Sequence, residues 1–293
     1  MPAASSALNK IMSRVESMQS LDSPAGGVAA VISRLLPSGP VKDAASGTWL
    51  GHPLHPLLVS LPIGAWSWAT VLDLATVKNS AARRLIGLGV LAAIPTAAAG
   101  GSDWVDTSGA ERRVGLVHAI GAWVSIGLYA SSWRARRPGG DGGKLLAMAG
   151  AATLGATGYL GGHLTYVYGV GVDTTAFQAG PQEWTEIGLG ADVIEGSLSQ
   201  FHVGEVALVV TRRDGRLYAL ADRCSHRGGP LSGGNIEGEC VVCPWHASAF
   251  SVGDGSVRRG PASIPQPSYE VREHGESLQV RRTEDRSLRQ NPV

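Results

Sequence analysis

Two cysteine–histidine pairs carry the clearest chemistry in the sequence. Cys224 and His226 form a Cys-x-His pair, Cys243 and His246 form a Cys-x-x-His pair, and residues 227–242 separate the pairs. Four such ligands could hold a tetrahedral zinc ion. They could equally hold a [2Fe–2S] cluster with two thiolates on one iron and two imidazoles on the other. The ligand types alone leave both possibilities open.

The residues around the pairs favour the iron–sulfur cluster. Glycines and a proline follow the first pair, Trp245 lies inside the second, and Gly260-Pro261 forms a third loop downstream. From about Trp184 to Arg282 this arrangement resembles the Rieske family, in which two ligand loops and a proline loop cover a [2Fe–2S] cluster. The resemblance implies four ligands, Cys224, His226, Cys243 and His246. It also implies three residues close to the cluster, Ser248, Trp245 and Pro261.

The sequence departs from the quinol-oxidising members of that family. In those members a disulfide ties the two ligand loops, and a Ser and a Tyr follow the second His. Here Arg227 and Trp245 stand at the cysteine positions, Ser248 matches the Ser, and Phe250 replaces the Tyr. The resemblance is therefore to the ferredoxin-type members that serve oxygenases and reductases, and it implies a low or intermediate reduction potential within the Rieske range. Cys240 is left over, and we expect a small buried thiol.

A Rieske oxygenase would need a second, mononuclear iron site of two His and one carboxylate. After His246 the only histidine is His274, beside Gly275 in a predicted hairpin turn. The remaining residues are too few for such a domain. We therefore expect an electron-transfer protein or an oxidoreductase component with no oxygenase catalytic domain of its own.

Residues 184–293 contain short runs typical of β-strands. Asp214-Gly215 and Asp254-Gly255 are strong hairpin-turn signals between such runs. The pattern predicts an all-β Rieske domain, an antiparallel sandwich with the cluster-binding loops at one end. The predicted strands are Trp184–Leu189, Glu205–Thr211, Arg216–Ala221, Glu239–Val242, Ala249–Val252, Ser268–Arg272 and Ser277–Arg282.

Four long apolar stretches precede this domain, near residues 57–77, 85–101, 114–133 and 145–163. Each has about the 20 residues that a hydrocarbon core requires. None shows the polar stripe of a helix in a soluble bundle, and the abundant Gly and Ala suit close helix packing in a bilayer. The sequence predicts an α-helical transmembrane four-helix bundle over residues 49–170, with the lipid bilayer as its partner.

The basic residues near the helix ends predict an orientation. The first and third loops are basic: Lys78, Arg83, Arg84, Arg134, Arg136, Arg137 and Lys144. Because Lys and Arg concentrate in cytoplasmic loops, both loops should face the cytoplasm. We expect a multi-pass protein of the bacterial inner membrane, with the Rieske domain on the extracytoplasmic side.

The membrane part also resembles a known family. The run GTWLGHPLHPLLVSLPIGAW, Gly47 to Trp66, is similar to the opening of a bacterial four-helix membrane family of unassigned activity. The similarity continues through Asp103-Trp104, Val117–Ala119 and Gly161–His163. It implies the bundle but no activity, so the polar residues must be interpreted directly.

Five polar residues are predicted to lie on one membrane face: His52, His55, Asp103, His118 and His163. Polar residues at membrane depth are costly and usually functional. Three interpretations remain open. The histidines could bond one another and Asp103, they could bind a metal such as a b-type haem, or they could form a quinol pocket.

The remaining segments are less informative. Residues 1–48 contain two short amphipathic helical patterns, which we expect to lie on the membrane surface or to pack on the domains. Residues 171–183 are expected to be a linker. The net charge of +1 gives no indication of nucleic-acid binding.

Together these patterns predict membrane-anchored one-electron transfer through a Rieske [2Fe–2S] cluster, linked to a haem or quinol site at the histidine face. In that case the partner is a redox protein or a quinol. In the alternative, the membrane domain is only an anchor, and a Rieske ferredoxin donates electrons to a separate oxygenase or reductase. A third interpretation is a non-redox, metal-binding protein.

Overall fold

The computed structural model describes residues 3–75, 80–136 and 142–283. The chain divides into two compact units, each built from two separate stretches of sequence. The first unit contains Met1–Pro37 and Pro53–Gly171, and the second contains Ser38–His52 and Val172–Val293.

This division differs from two of the predicted boundaries. The predicted N-terminal segment 1–48 is shared between the units, because its last residues pack with the β domain. The predicted linker 171–183 is also part of that domain. Thr174 donates its hydroxyl proton to Cys224 O at 2.7 Å and its N–H to Ser225 O at 3.2 Å. Glycine and proline correctly indicated irregular backbone, but irregular backbone still needs hydrogen-bond partners.

Helices form the whole first unit. Two N-terminal helices, α1 (Ala3–Ser17) and α2 (Asp22–Leu35), precede four longer ones; a short helix between them, α3 (Pro40–Ser46), belongs to the second unit. The longer helices coincide with the four predicted apolar stretches. They are α4 (Leu54–Leu74), α5 (Ser80–Trp104), α6 (Gly109–Ala135) and α7 (Lys144–Tyr166).

Three of these helices have the length and composition of membrane spans. In α4, α5 and α6 only 22, 33 and 28% of the most apolar window is buried inside the protein. Most of their apolar side chains therefore point outward, as lipid-facing residues do. Helix α7 is not among the candidate spans found in the described part of the chain. Its interior is rich in Gly, Ala and Thr, which are less hydrophobic than Leu, Ile or Val.

A buried ion pair joins α4 to the end of α6. Both guanidinium NH groups of Arg136 donate to the two carboxylate oxygens of Asp73, and Arg136 Nε donates to Ser132 Oγ at 3.1 Å. The side chains of Arg136 and Asp73 are only 7% and 5% exposed. Because its charge is paired with Asp73, Arg136 contributes less to the predicted membrane orientation than an unpaired arginine would. Two other basic residues used in that prediction, Lys78 and Arg137, lie outside the described residues.

The N-terminal helices pack on α5 and α6 through small side chains. Ala25 and Ala29 are buried with Trp104 and Leu116, and Arg113 binds Asp22 at 2.7 Å. Most of the larger apolar side chains of α1 and α2 point away from this contact, as expected of helices that touch a lipid surface, whereas Met12 is buried and Ile32 packs against these buried residues. The exposed residues are Leu8, Ile11, Met18, Val28, Val31 and Leu35.

The second unit is an all-β domain, as predicted, with α3 added to it. Its strands form a six-stranded antiparallel sheet in the order β1-β10-β9-β4-β3-β2 and a four-stranded antiparallel sheet in the order β5-β6-β7-β8. The strands are β1 (Thr185–Leu189), β2 (Ser199–Val203), β3 (Val206–Arg213), β4 (Arg216–Ala221), β5 (Asn235–Glu237), β6 (Cys240–Val242), β7 (Ala249–Ser251), β8 (Val257–Arg259), β9 (Ser268–His274) and β10 (Ser277–Arg282).

Three of these strands were not predicted. Strands β5 and β8 have only three residues each, too few to show alternation, and β2 carries few apolar residues. The predicted hairpin turn between β3 and β4 is confirmed. Asp214 and Gly215 both have positive φ, at 50° and 73°, as a type I′ turn requires.

The ion pair between Asp73 and Arg136 gives a test of the membrane domain. Asp73→Asn leaves a buried guanidinium without its counter-charge, which costs about 3–5 kcal/mol. We expect a clear loss of thermal stability in detergent, and replacing both partners (Asp73→Leu with Arg136→Met) should restore most of it. Arg134→Met, at an exposed position of the same helix end, is the matched control. Equal, small effects of Asp73→Asn and Arg134→Met would contradict the expectation.

Candidate metal centre

The two Cys/His pairs lie on loops with the same backbone pattern. In the first loop, Cys224 N–H donates to Gly229 O at 2.9 Å, and Gly228 N–H donates back to Cys224 O at 2.8 Å. The fourth residue after the cysteine, Gly228, has a positive φ of 78°. This turn directs the Cys224 and His226 side chains out of the loop.

The second loop repeats this pattern between β6 and β7. Cys243 N–H donates to Ser248 O at 2.8 Å, and Ala247 N–H donates to Cys243 O at 3.1 Å. Ala247 has a φ of 61°, a left-handed conformation that a residue with a Cβ adopts only at a cost of about 1–2 kcal/mol. The two loops therefore present their cysteines in equivalent ways.

The four predicted ligands come together as two like pairs. The thiols of Cys224 and Cys243, 1% and 3% exposed, are hydrogen-bonded to each other. The imidazoles of His226 and His246 lie edge to face with ring centroids 5.1 Å apart. This is the grouping that two thiolates on one iron and two imidazoles on the other require.

The surroundings fit a binuclear cluster better than a single metal ion. Among residues 3–75, 80–136 and 142–283, no three His, Cys, Asp or Glu side chains converge on one point, as a mononuclear zinc site would need. A Cβ added to Gly229 would lie 3.0 Å from Cys243 Sγ and 2.9 Å from the Trp245 ring. Glycine at 229 therefore keeps space beside the thiol.

The hydrogen bond between the two thiols shifts their pKa values in opposite directions. The hydrogen bond from Cys224 and the backbone N–H groups of Trp245 and His246 together lower the pKa of Cys243 to about 6, against the effect of burial. The same thiol–thiol bond, together with burial, raises the pKa of Cys224. Metals bind thiolates, so the site already favours the ligating form at Cys243.

The imidazole of His226 is held in its neutral form. Burial lowers its pKa well below the ordinary value, and the nearby His246, Lys42 and Arg227 lower it further. Neutral imidazole is the form that ligates a metal.

Ser248, Pro261 and Trp245 surround the ligand loops. Ser248 is fully buried, and its Oγ accepts the N–H of Ala262 at 3.0 Å, so its hydroxyl proton is available to another acceptor. Pro261 is buried, and the Trp245 ring, 56% exposed, lies over Gly229.

The most important residue that the sequence analysis missed is Gln266, which is 2% exposed. Its Oε1 accepts the N–H of Ser225 at 2.9 Å. Its Nε2 donates to Ala221 O at 2.7 Å and to Arg223 O at 2.6 Å. One side chain thus fixes the first ligand loop at three backbone groups. The available signal was weak: a polar residue between two prolines, just after the Gly260-Pro261 loop.

Cys240 differs from the prediction. It lies on β6 opposite Ser251 and is a partly exposed free thiol rather than a buried one. A cysteine beside a short strand end is not fully covered by either sheet.

Two of the predicted membrane histidines share one geometry. His55 Nδ1 donates to Thr96 O at 3.0 Å, and His118 Nδ1 donates to Thr157 O at 2.9 Å. In both cases a histidine on one helix of a hairpin bonds a threonine carbonyl on the other. Because a carbonyl only accepts, each Nδ1 carries the proton and each neutral ring keeps its Nε2 lone pair.

A glycine lies against each of these rings. A Cβ at Gly100 would be 2.8 Å from His55 Cε1, and one at Gly161 would be 3.2 Å from His118 Cε1. Each glycine follows its threonine by four residues, so it lies one helical turn along the same face. The two imidazoles are also close enough to interact electrostatically.

The other residues of the predicted histidine face are placed differently. His163 Nε2 bonds Glu16 Oε1 at 2.9 Å, and His52 is exposed and belongs to the second unit. Asp103 is partly buried at the last turn of α5. Because α6 begins at Gly109 rather than near residue 114, His118 lies farther from its helix start than the apolar pattern predicted.

Comparison with known proteins assigns both parts of the chain. Residues 183–270 match the family described as Rieske [2Fe-2S] domain. Residues 51–174 match the family described as Predicted membrane protein (DUF2231).

Known ferredoxins resemble the C-terminal part. Ferredoxin CarAc from Metapseudomonas resinovorans is 32% identical over 91 residues, which are 31% of this chain and 85% of that protein. The ferredoxin component of biphenyl 2,3-dioxygenase from Rhodococcus jostii (strain RHA1) is 30% identical over 33% of this chain and 90% of its own length. A chain of the complex of reduced oxygenase and oxidized ferredoxin in carbazole 1,9a-dioxygenase is 30% identical, with a TM-score of 0.32, over 34% of this chain and 94% of that chain.

The β domain is thus a ferredoxin-type electron-carrier domain, a class that holds a [2Fe–2S] cluster. The chain belongs to the Rieske [2Fe–2S] family and joins that domain to a domain of a membrane protein family.

Gln266 gives a test of how the first ligand loop is held. Gln266→Leu keeps the size of the side chain but leaves Ser225 N–H and two carbonyls without their partner, at about 1–3 kcal/mol for each buried group. We expect lower iron and sulfide content per chain and a lower unfolding temperature. Gln279→Leu, which removes only the two hydrogen bonds from the exposed Arg272, is the control. Equal cluster content in both variants would show that Gln266 does not hold the loop.

Proposed function

We propose that this chain is a membrane-anchored one-electron carrier. In this proposal Cys224 and Cys243 bind one iron of a [2Fe–2S] cluster, and His226 and His246 bind the other. When bound, such a cluster takes up and releases single electrons. The observation that carries the proposal is the pairing of thiol with thiol and imidazole with imidazole on two equivalent loops.

The two ligand pairs differ in exposure, which supports a direction for electron exchange. The thiols are buried in the core between the sheets, whereas His226 and His246 are partly exposed and Trp245 beside them is exposed. A partner can therefore approach the imidazoles more closely than the thiols. We infer that electrons enter and leave at the histidine side.

The relatives support a protein as the redox partner. One of them is named as the ferredoxin component of a dioxygenase. We infer that this carrier also exchanges electrons with a separate oxygenase or reductase, next to a lipid bilayer.

The basic residues at the helix ends support an assignment of which end of the bundle faces the cytoplasm. Arg83 stacks on Trp133 with 4.5 Å from its guanidinium carbon to the ring centroid, so the start of α5 and the end of α6 share one end of the bundle. Arg84 and Arg134 lie in the same helix turns. By the positive-inside rule this end faces the cytoplasm. We infer that α7 crosses the bacterial inner membrane together with the three candidate spans, which leaves the β domain outside the cytoplasm.

The ligand assignment has a direct spectroscopic test. We expect the detergent-purified full-length protein, reduced with dithionite, to give a rhombic EPR signal with an average g below 2 and about two irons per chain. Cys224→Ser should abolish the signal, whereas Cys240→Ser should preserve it. A colourless preparation that contains zinc would refute the iron–sulfur proposal and favour a non-redox role.

We further infer a second binding site at His55 and His118. Both rings are fixed through Nδ1–H to a backbone carbonyl, the arrangement typical of histidines that ligate a metal through Nε2. In an apolar bundle such a lone pair could ligate a b-type haem iron or accept a proton from a quinol. His163 is outside this site because its Nε2 bonds Glu16.

Spectra of the histidine variants separate these possibilities. We expect a Soret band in the full-length protein that His55→Ala and His118→Ala abolish and His163→Ala retains. Without a Soret band, reduction of the cluster by added quinol in the wild type but not in His118→Ala would assign a quinol site. If neither is observed, the membrane domain serves as an anchor for a ferredoxin.

A further inference from the structure

A short segment from outside the ferredoxin-like region contacts the proline loop. Residues 38–52, called here the 38–52 segment, contain α3 and a following 3₁₀ turn at Thr48–Leu50. They belong to the same compact unit as the β domain. The family match begins at residue 183, so this segment is an addition to the part that the chain shares with the ferredoxins.

The local sequence fixes the shape of this segment. Pro40 occupies the start of α3, where its missing N–H is no loss. Gly47 ends the helix with a φ of 85°, the left-handed conformation that glycine adopts without strain. The turn at Gly47 places Asp43 and Thr48 on the same side.

Both of these side chains bond the proline loop. Gly260 N–H donates to Asp43 Oδ1 at 2.9 Å, and Thr48 Oγ1 donates to Ala262 O at 3.0 Å. The two bonds flank Pro261. The N–H of Ala262 in turn donates to Ser248 of the second ligand loop.

Glycine at position 260 leaves space for the Asp43 and Thr48 side chains. A Cβ at this position would lie 2.3 Å from Thr48 Oγ1 and 2.8 Å from Asp43 Oδ1. A residue with a Cβ would have to displace both side chains, so glycine at this position preserves the two hydrogen bonds between the 38–52 segment and the proline loop.

The 38–52 segment also carries a buried positive charge within electrostatic range of a predicted ligand. Of the three lysines that the structure describes, Lys10, Lys42 and Lys144, only Lys42 is buried, at 6% exposure. Lys42 interacts electrostatically with His226 and with Asp43. Burying a lysine is costly unless its charge is compensated. The carboxylate of Asp43 is close enough to contribute to that compensation.

We propose that the 38–52 segment is part of the redox site, in which the Lys42 ammonium favours the reduced state of the cluster and the Asp43 carboxylate opposes it. The inference rests on the proposed ligand assignment. Uptake of one electron from an external reductant makes the site one charge more negative, and no bond forms or breaks. A fixed cation near His226 stabilises that added charge, and a fixed anion destabilises it.

The test is an EPR-monitored redox titration of the full-length protein at about pH 8, well above the titration range of carboxylates. Lys42→Met should shift the one-electron equilibrium about tenfold toward the oxidised state, which is ~59 mV lower in potential. Lys42→Arg should stay close to the wild type. Asp43→Asn removes the charge but keeps an oxygen to accept from Gly260, so it should shift the potential in the opposite direction.

The opposite signs distinguish a charge effect from a structural one. If the segment only supports the loop, Lys42→Met and Asp43→Asn will lower cluster content or shift the potential in the same direction, and the inference is wrong. If Lys42→Met fails to fold, the Asp43→Asn shift decides alone, since no shift or a lower potential contradicts the inference. A wild type without a Rieske EPR signal would instead overturn the proposed function, and this inference with it.

Discussion

The close approach of two buried thiols is the constraint on which the β domain depends. Cys224 and Cys243 lie almost wholly out of solvent and in hydrogen-bond contact, although two thiolates at this separation would repel each other strongly. Nothing in an isolated loop would hold them there. The approach is maintained by backbone hydrogen bonds within each loop and by the fully buried Gln266, which accepts from one side of the first loop and donates to the other. The apolar core between the two sheets stabilises the domain and so offsets the cost of holding the two thiols together.

The membrane domain also has to provide partners for polar side chains that lie away from water. Several buried polar side chains there are matched to a specific partner: Asp73 to Arg136, His55 to a threonine carbonyl, and Trp66 Nε1 to the Ile86 carbonyl at 3.2 Å. Small residues make these pairings possible, since a Cβ at Gly89 would lie 2.3 Å from Trp66 Nε1. In a low-dielectric environment an unmatched polar group is expensive, so the glycines and the polar residues belong to one arrangement.

Local patterns predicted what depends on local geometry. The Cys-x-His and Cys-x-x-His spacings, the Asp214-Gly215 turn and the apolar helices all have signals within a few residues. Contacts between distant residues have no such signal: Gly260 bonds Asp43 across 217 positions, and Ser225 bonds Gln266 across 41. Helical periodicity also predicted that α1 and α2 are amphipathic helices, but it did not predict the direction in which their apolar side chains face. The pattern is the same whether Ile11 meets lipid or protein, and the packed face is formed by alanines that carry little hydrophobic signal.

The compact unit that contains the β domain is larger than the part that matches the Rieske family. A domain cut at residue 183, where the family match begins, would keep both ligand loops and both sheets. It would lose the hydrogen bonds of Thr174 to the first ligand loop and those of Asp43 and Thr48 to the proline loop. Because charges and hydrogen bonds near an iron–sulfur cluster set its potential, such a fragment would carry the same ligands in a different electrostatic environment. The residues that adapt the electron carrier to this chain would then lie ahead of it in sequence, before the first membrane helix and after α7.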